Sequence, residues 1–175
     1  MIKKDVKLYN MILPPFMLFA FVPIFWLISL VGNFIIDSIV LLIISLIIFK
    51  KVDWKFYKKV ILKVWAFGFI GDIIGVAYLV LVSTLSNATF YNGNDLGKQI
   101  MSGIYLATSQ SHFDSIWGVL FIVSGILVAA VFIFLFDLIA FINTGLSKKQ
   151  KILSALSYAV FTAPYLFLIP KSLLY

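Results

Sequence analysis

The sequence predicts an all-α fold, a polytopic transmembrane helical bundle of about five spans with its N-terminus inside and its C-terminus outside. Three observations carry this. Of 175 residues, 63% are hydrophobic and 12% are charged, against roughly 45–50% and roughly 25% in soluble domains. Most of the charges lie in short stretches between long apolar runs, with only Asp37, Asp72 and Asp137 inside them. All fourteen cationic side chains are lysines, and they gather at the ends of those runs, where they set topology and meet headgroups. The length fits a single membrane domain, residues 1–175.

The first span is expected over residues 12–31. Pro14 and Pro15 suit its start, where missing amide protons cost nothing, and Pro23 should kink it. Residues 8–36 carry no charge, which exceeds a signal-peptide core of roughly 7–15 residues, so the stretch reads as retained membrane structure. The second span is expected over 34–49. Between Tyr9 and Phe49 the only charge is Asp37. One helix over that stretch would be about 60 Å long, twice the hydrocarbon thickness. A turn is therefore expected, and Gly32-Asn33 is the best signal for it.

Residues 50–59, KKVDWKFYKK, read as a basic linker with aromatic residues at headgroup level. The third span is expected over 60–86. An outer loop, 87–110, follows. Within it Asp95 to Ser109 reads as a short helix with Leu96, Ile100, Ile104 and Leu106 partly on one face, lying on the bilayer or re-entering it. The fourth span is expected over 112–143, opened by a capping box at Ser111–Asp114 and closed by Thr144-Gly145. Ser147-Lys-Lys-Gln150 is a second capping box, opening a fifth span over 148–171. With five spans, twelve lysines fall on one side (Lys3, Lys4, Lys7, the six from Lys50 to Lys63, Lys148, Lys149 and Lys151) and two, Lys98 and Lys171, on the other. That bias makes the first side cytoplasmic.

The formal net charge is +7. Lysines placed at span ends answer to the membrane and not to nucleic acid. There is no cysteine and one histidine, so disulfides and thiolate chemistry are excluded and no transition-metal site or cofactor is expected. His112 reads as a solvated loop residue. No phosphate loop or Ser–His hydrolase motif occurs.

Three aspartates fall inside spans, and intramembrane carboxylates are functional candidates by default. Asp37 is expected about one turn below the outer face, at a depth Lys171 reaches. Asp137 is expected less than two turns from the inner face, at a depth Lys63 reaches. Asp72 is expected near the midplane with no lysine at its level. It is therefore the central candidate for binding or relay, with Thr162, Ser124 or Tyr78 as mid-depth polar partners. Gly68, Gly71 and Gly75 flank it. Gly71 and Gly75 have the spacing that lets helices approach closely, either inside the chain, with Gly118 and Gly125 as the partner surface, or against a second copy. Gly68-Phe-Ile-Gly71-Asp72 superficially matches the intramembrane aspartyl protease motif. However, residues 69 and 70 depart from it, and Asp72 is expected to differ in depth from the other two aspartates by about 10 Å, so the chain reads as non-enzymatic.

The segments ILPPFMLFAFVP, NFIIDSIVLL, KVWAFGFIGDIIG and TAPYLFLIP resemble blocks of an uncharacterised family of small multi-span membrane proteins of low-GC Gram-positive bacteria. That family has no established function, so the resemblance implies a bacterial cytoplasmic membrane location and no site residues. The lysine-rich, arginine-free composition agrees with such a source. Chain length alone also admits the substrate-binding subunits of energy-coupling-factor transporters, which usually have six spans. The function expected is a small transport-type protein or membrane subunit of a complex. The alternative is an interaction protein packing a partner helix through its glycine face. The expected partners are the lipid bilayer and either a second copy or a membrane-complex subunit.

Overall fold

Five α-helices and two 3-10 turns make up the regular structure of the computed structural model, which describes residues 23–90, 94–109 and 112–169. The helices are α1 (Pro23–Phe49), α2 (Trp54–Phe90), α3 (Asp95–Ser109), α4 (Ile116–Ala140) and α5 (Lys148–Phe161). The 3-10 turns are His112–Asp114 and Tyr165–Leu168. Among the described residues four segments are long and apolar enough to cross a membrane: Leu30–Phe49, Trp54–Ser86, Ile116–Ala140 and Lys148–Leu168. The protein is a multi-pass helical membrane protein.

The turn expected at Gly32-Asn33 is not there. α1 runs through both residues as one helix of 27 residues, about 40 Å at the helical rise. A helix of that length already crosses the bilayer, and a turn inside it would leave backbone groups unsatisfied in hydrocarbon. The expected spans 34–49 and the end of 12–31 are thus one span. The expected kink at Pro23 falls at the edge of the described residues, and the rest of the first segment lies outside them.

α1 and α2 form an antiparallel hairpin closed by residues 50–53. Buried Ser45 ties it: its hydroxyl accepts from the Asp53 amide at 2.9 Å and donates to the Lys51 carbonyl at 3.3 Å. Asp53 then caps α2, its carboxylate accepting from the amides of Lys55 and Phe56. Much of the expected basic linker is therefore the first turns of α2, because an aspartate in this position satisfies otherwise orphaned amides. Lys59 Nζ donates to the Asn143 carbonyl and Lys151 Nζ donates to the Ile142 carbonyl at 2.6 Å. Both close the C-terminal end of α4, where cations suit the helix dipole. The lysines of 50–63 and 148–151 accordingly share one end of the bundle, and Lys98 of α3 lies away from them.

α2 and α4 make the most extensive helix contact. A Cβ on Gly75 would lie 2.9 Å from Ala129 Cβ and 3.0 Å from the Gly125 carbonyl, and one on Gly71 would lie 2.5 Å from Ile133 Cγ1. The glycine spacing therefore serves internal packing against α4, and Gly125 lies on the partner surface as expected. Gly118 does not. It packs against the Gly103 and His112 carbonyls, joining α3 to the start of α4.

α3 has the bounds expected of it, with Asn94 capping it through the Gly97 amide at 3.0 Å. Ile104 and Ala107 are buried, whereas Leu96 is exposed. Ser111, the expected cap of the fourth span, lies outside the described residues, and His112–Asp114 form a 3-10 turn. Ser115 is the N-cap of α4, its hydroxyl accepting from the Trp117 amide at 3.3 Å. α4 ends at Ala140, earlier than expected. The capping box of Ser147 and Gln150 is present in both directions. α5 then stops at Phe161, with only 14 residues, about 21 Å at the helical rise. Pro164 cannot continue it, and the expected fifth span is a helix, a break at 162–164, and the 3-10 turn Tyr165–Leu168.

Two apolar cores fill the bundle. The one nearer the lysine-bearing end gathers Leu41, Val60, Val64, Ile133, Phe141 and Tyr158; the other gathers Leu79, Phe121, Ile122, Ile126 and Phe167.

Candidate functional site: a carboxyl cluster inside the bundle

Three of the four spanning segments bring an aspartate into the interior, and the fourth brings a tyrosine. Asp37 is 2% exposed and Asp137 is 0% exposed; Asp37 lies mid-way along α1 and not near the outer face as expected, whereas Asp137 lies in the last turn of α4, close to the lysine-bearing end as expected, but buried inside the bundle. On α1, Asn33 and Asp37 are one turn apart and share a face. Asn33 Nδ2 donates to Asp72 Oδ2 of α2 at 2.8 Å. One turn further along α2, a Cβ on Gly68 would lie 3.7 Å from Asp37 Oδ2. Tyr158 of α5 is 1% exposed, and its hydroxyl donates to the Asp37 backbone carbonyl at 2.9 Å. Asp137 of α4 lies one turn beyond Ile133, which meets Gly71.

This pairing of residues ranks the carboxyls by depth. Asp72 lies about one turn, roughly 6 Å at the helical rise, farther from the lysine-bearing end than Asp37, and Asp137 lies at nearly the depth of Asp37. Asp37 lies close enough to both others for electrostatic interaction. The depth argument that set Asp37 far from Asp72 fails, because the turn on which it rested does not exist.

Among the described residues four buried carboxyl oxygens have no hydrogen-bond partner: Asp37 Oδ2, Asp72 Oδ1 and both oxygens of Asp137. Lys63, expected to reach Asp137, is exposed. Lys171, expected to reach Asp37, lies outside the described residues. Among the described residues no three acidic or histidine side chains converge on one ion position. The carboxyls form a series and not a cage. Carboxyl groups grouped in this way can hold protons, and can pass them from one to the next where a bridging group brings donor and acceptor to hydrogen-bond distance.

The polar partners expected for Asp72 are engaged elsewhere. The Ser124 hydroxyl donates to the Phe121 carbonyl at 2.6 Å and the Thr162 hydroxyl donates to the Tyr158 carbonyl at 2.9 Å. Tyr78 is partly buried against the outer core. The partner that does serve, Asn33, was hidden by its assignment to a turn; its spacing from Asp37 was the available signal. Tyr158 carried one too: a tyrosine on an apolar face needs a partner for its hydroxyl.

His112 also departs from expectation. It is 2% exposed, its ring packs on Phe113 with centroids 4.2 Å apart, and Nε2 lies 3.2 Å from the Leu168 carbonyl. Burial pulls its pKa below the ordinary value, outweighing the opposing Leu168 carbonyl and Asp114 carboxylate. It joins the start of α4 to the turn after α5 and is remote from the carboxyl series.

No family model, curated protein or solved structure matches this chain.

Proposed function

We propose that the protein is a small transport-type protein of the bacterial cytoplasmic membrane, acting alone or as the membrane subunit of a complex, whose interior carboxyl groups hold and pass protons. The reading is non-enzymatic. The observation that supports it most is the set of four buried carboxyl oxygens, drawn from three helices, that have no hydrogen-bond partner among the described residues. An ionised carboxylate buried in this way costs several kcal/mol, so a chain that needed only stability would carry apolar side chains there. Broken spans often border transport sites, and the interruption of the last span after Phe161 agrees with this reading. The rival interaction reading rested on the glycine face. Gly71 and Gly75 face α4, so a partner helix would need another surface.

Purified protein in liposomes carrying a pH-sensitive dye tests the proposal. The wild type is expected to dissipate an imposed proton gradient. Asp72→Asn, Asp37→Asn and Asp137→Asn should each fold and lower the rate by roughly tenfold or more, a general acid–base scale of effect. Gradient decay that is the same in all three variants as in the wild type would sink the carboxyl mechanism. No decay in the wild type would favour the interaction reading. Orientation is checked separately: a reporter inserted within residues 50–53 should read as cytoplasmic, as the lysine bias requires, and an external reading would reverse the bundle.

A further inference from the structure

We infer that Lys59 and Lys151 together bind the phosphate of one anionic phospholipid at the C-terminal end of α4, with an acyl chain of that lipid lying along an exposed apolar stripe of the same helix. The inference is independent of the proton-handling reading and goes beyond the general attraction of lysines for headgroups. Lys59 comes from α2 and Lys151 from α5, yet their ammonium groups donate to the carbonyls of consecutive residues, Asn143 and Ile142. Consecutive Cα atoms are about 3.8 Å apart, so two helices bring like charges to one place. The end of α4 offsets this by about half a charge. The described aspartates are committed elsewhere. Asp53 caps the start of α2, Asp37, Asp72 and Asp137 belong to the interior, and Asp95 and Asp114 lie at the opposite end of the bundle. The lysine pair therefore keeps a positive charge that an anion would neutralise.

The chemistry of the pair suits a phosphate. An ammonium carries three N–H donors. Each lysine spends one on α4 and keeps the others for a ligand. Lysines gathered between membrane helices in this way bind anionic headgroups, whereas a zwitterionic headgroup brings its own cation and gains less. The level is that of the headgroups. Trp54, 58% exposed and edge-on to Tyr57, sits just before Lys59 as an interfacial aromatic residue does. Ile142, whose carbonyl holds Lys151, also ends a row of exposed apolar side chains with Val131, Leu135 and Ile139. Their spacing keeps them on one face of α4 and of the turn that follows it. From Val131 to Ile142 the row covers about 16 Å at the helical rise, the depth of one leaflet of hydrocarbon. A free phosphate would use the lysines alone. A phospholipid uses the lysines and the row below them.

Native mass spectrometry of the purified protein, titrated with phosphatidylglycerol, phosphatidylcholine or glycerol phosphate, tests the site. The wild type should hold one phosphatidylglycerol per chain, roughly tenfold or more tighter than phosphatidylcholine, the scale of two lysines beside an anionic surface. Lys59→Gln combined with Lys151→Gln should abolish that preference. Lys51→Gln combined with Lys149→Gln removes the same charge away from the site and should keep it. Glutamine still donates hydrogen bonds to carbonyls, so the first pair should fold, as thermal melts in phosphatidylcholine will show. If it does not, Lys59→Gln and Lys151→Gln as single variants should each weaken phosphatidylglycerol roughly fivefold. An equal loss in the two pairs, or single variants that bind like the wild type, would overturn the inference in favour of diffuse attraction. Phosphatidylcholine bound as tightly as phosphatidylglycerol would overturn it too. Glycerol phosphate should bind far more weakly than the lipid, and equal binding would show that the lysines take a free anion and that the apolar row plays no part.

Discussion

The two sides of α2 use small residues in opposite ways. Toward α4, Gly71 and Gly75 remove side chains so that backbones approach, and Gly125 and Ala129 answer them with equally little bulk. This seam is apolar and tight, and packing of this kind holds membrane helices together where the hydrophobic effect between them is absent. Toward α1, the same helix at nearly the same depth is polar. Asp72 bonds to Asn33, Trp65 Nε1 donates to the Leu30 carbonyl at 2.9 Å, and Gly68 lies against the Asp37 carboxyl. Two glycines three residues apart, Gly68 and Gly71, therefore do unrelated work. What a small residue means in a membrane helix depends on which neighbour it faces, and a spacing motif does not tell which.

The largest effect is expected where backbone meets backbone. Gly75→Leu should destabilise the protein in detergent by about 3 kcal/mol or more, because overpacking against a carbonyl and a Cβ leaves little that can yield. Gly118→Leu should be comparably costly, since its Cβ would lie 2.8 Å from the His112 carbonyl and 3.0 Å from the Gly103 carbonyl. On the α1 side, Asn33→Leu should cost only about 0.6 kcal/mol, the usual worth of an interhelical hydrogen bond in a membrane. Thermal melts of the three variants rank them. An Asn33→Leu loss as large as that of Gly75→Leu would erase the contrast between the two faces.

The next effect has the opposite sign. Both Asp137 oxygens are buried without a hydrogen-bond partner, so Asp137→Leu removes an unsatisfied polar group and should stabilise the protein by about 1–2 kcal/mol. Flux should be lost at the same time, the trade expected where a functional group is kept at the expense of stability. A lower melting temperature in this variant would show that the protein satisfies Asp137 in some way its own side chains do not reveal.

The smallest effect concerns the outer end. The folded-state pKa of His112 is lowered by burial, so the unfolded chain binds the extra proton more readily. This contribution to stability is present above the ordinary histidine pKa of about 6.5 and is lost as pH falls from there toward the lower folded value. Melts of the wild type between pH 7 and pH 5 should decline more steeply than those of His112→Gln, and parallel curves would show that the ring is not desolvated.

Much of the fold was legible because local chemistry decides it. The apolar runs, the helix over Asp95–Ser109 and the capping box of Ser147 and Gln150 each depend on residues within a few positions of one another. The helix starts at Ser115 and Asp53 were misplaced because several polar residues near each were candidates for the cap, and packing chose among them. Gly32-Asn33 was misjudged for a deeper reason. Turn residues signal a turn only where water or protein can satisfy the exposed backbone, and this pair lies inside a span.

The sequence alone determined that the chain crosses a membrane, that its lysines collect at one end and that three aspartates lie within apolar segments, because these follow from composition and from the length of uncharged runs. Only the tertiary structure decided which carboxyls meet. Depth along each helix depends on where the turns fall, and azimuth depends on which faces pack. An error of one turn position moved Asp37 from the rim to the interior. The grouping of Asn33, Asp37, Asp72, Asp137 and Tyr158 arises from contacts between residues up to 121 positions apart, and no local pattern encodes which of many compatible faces will be pressed together.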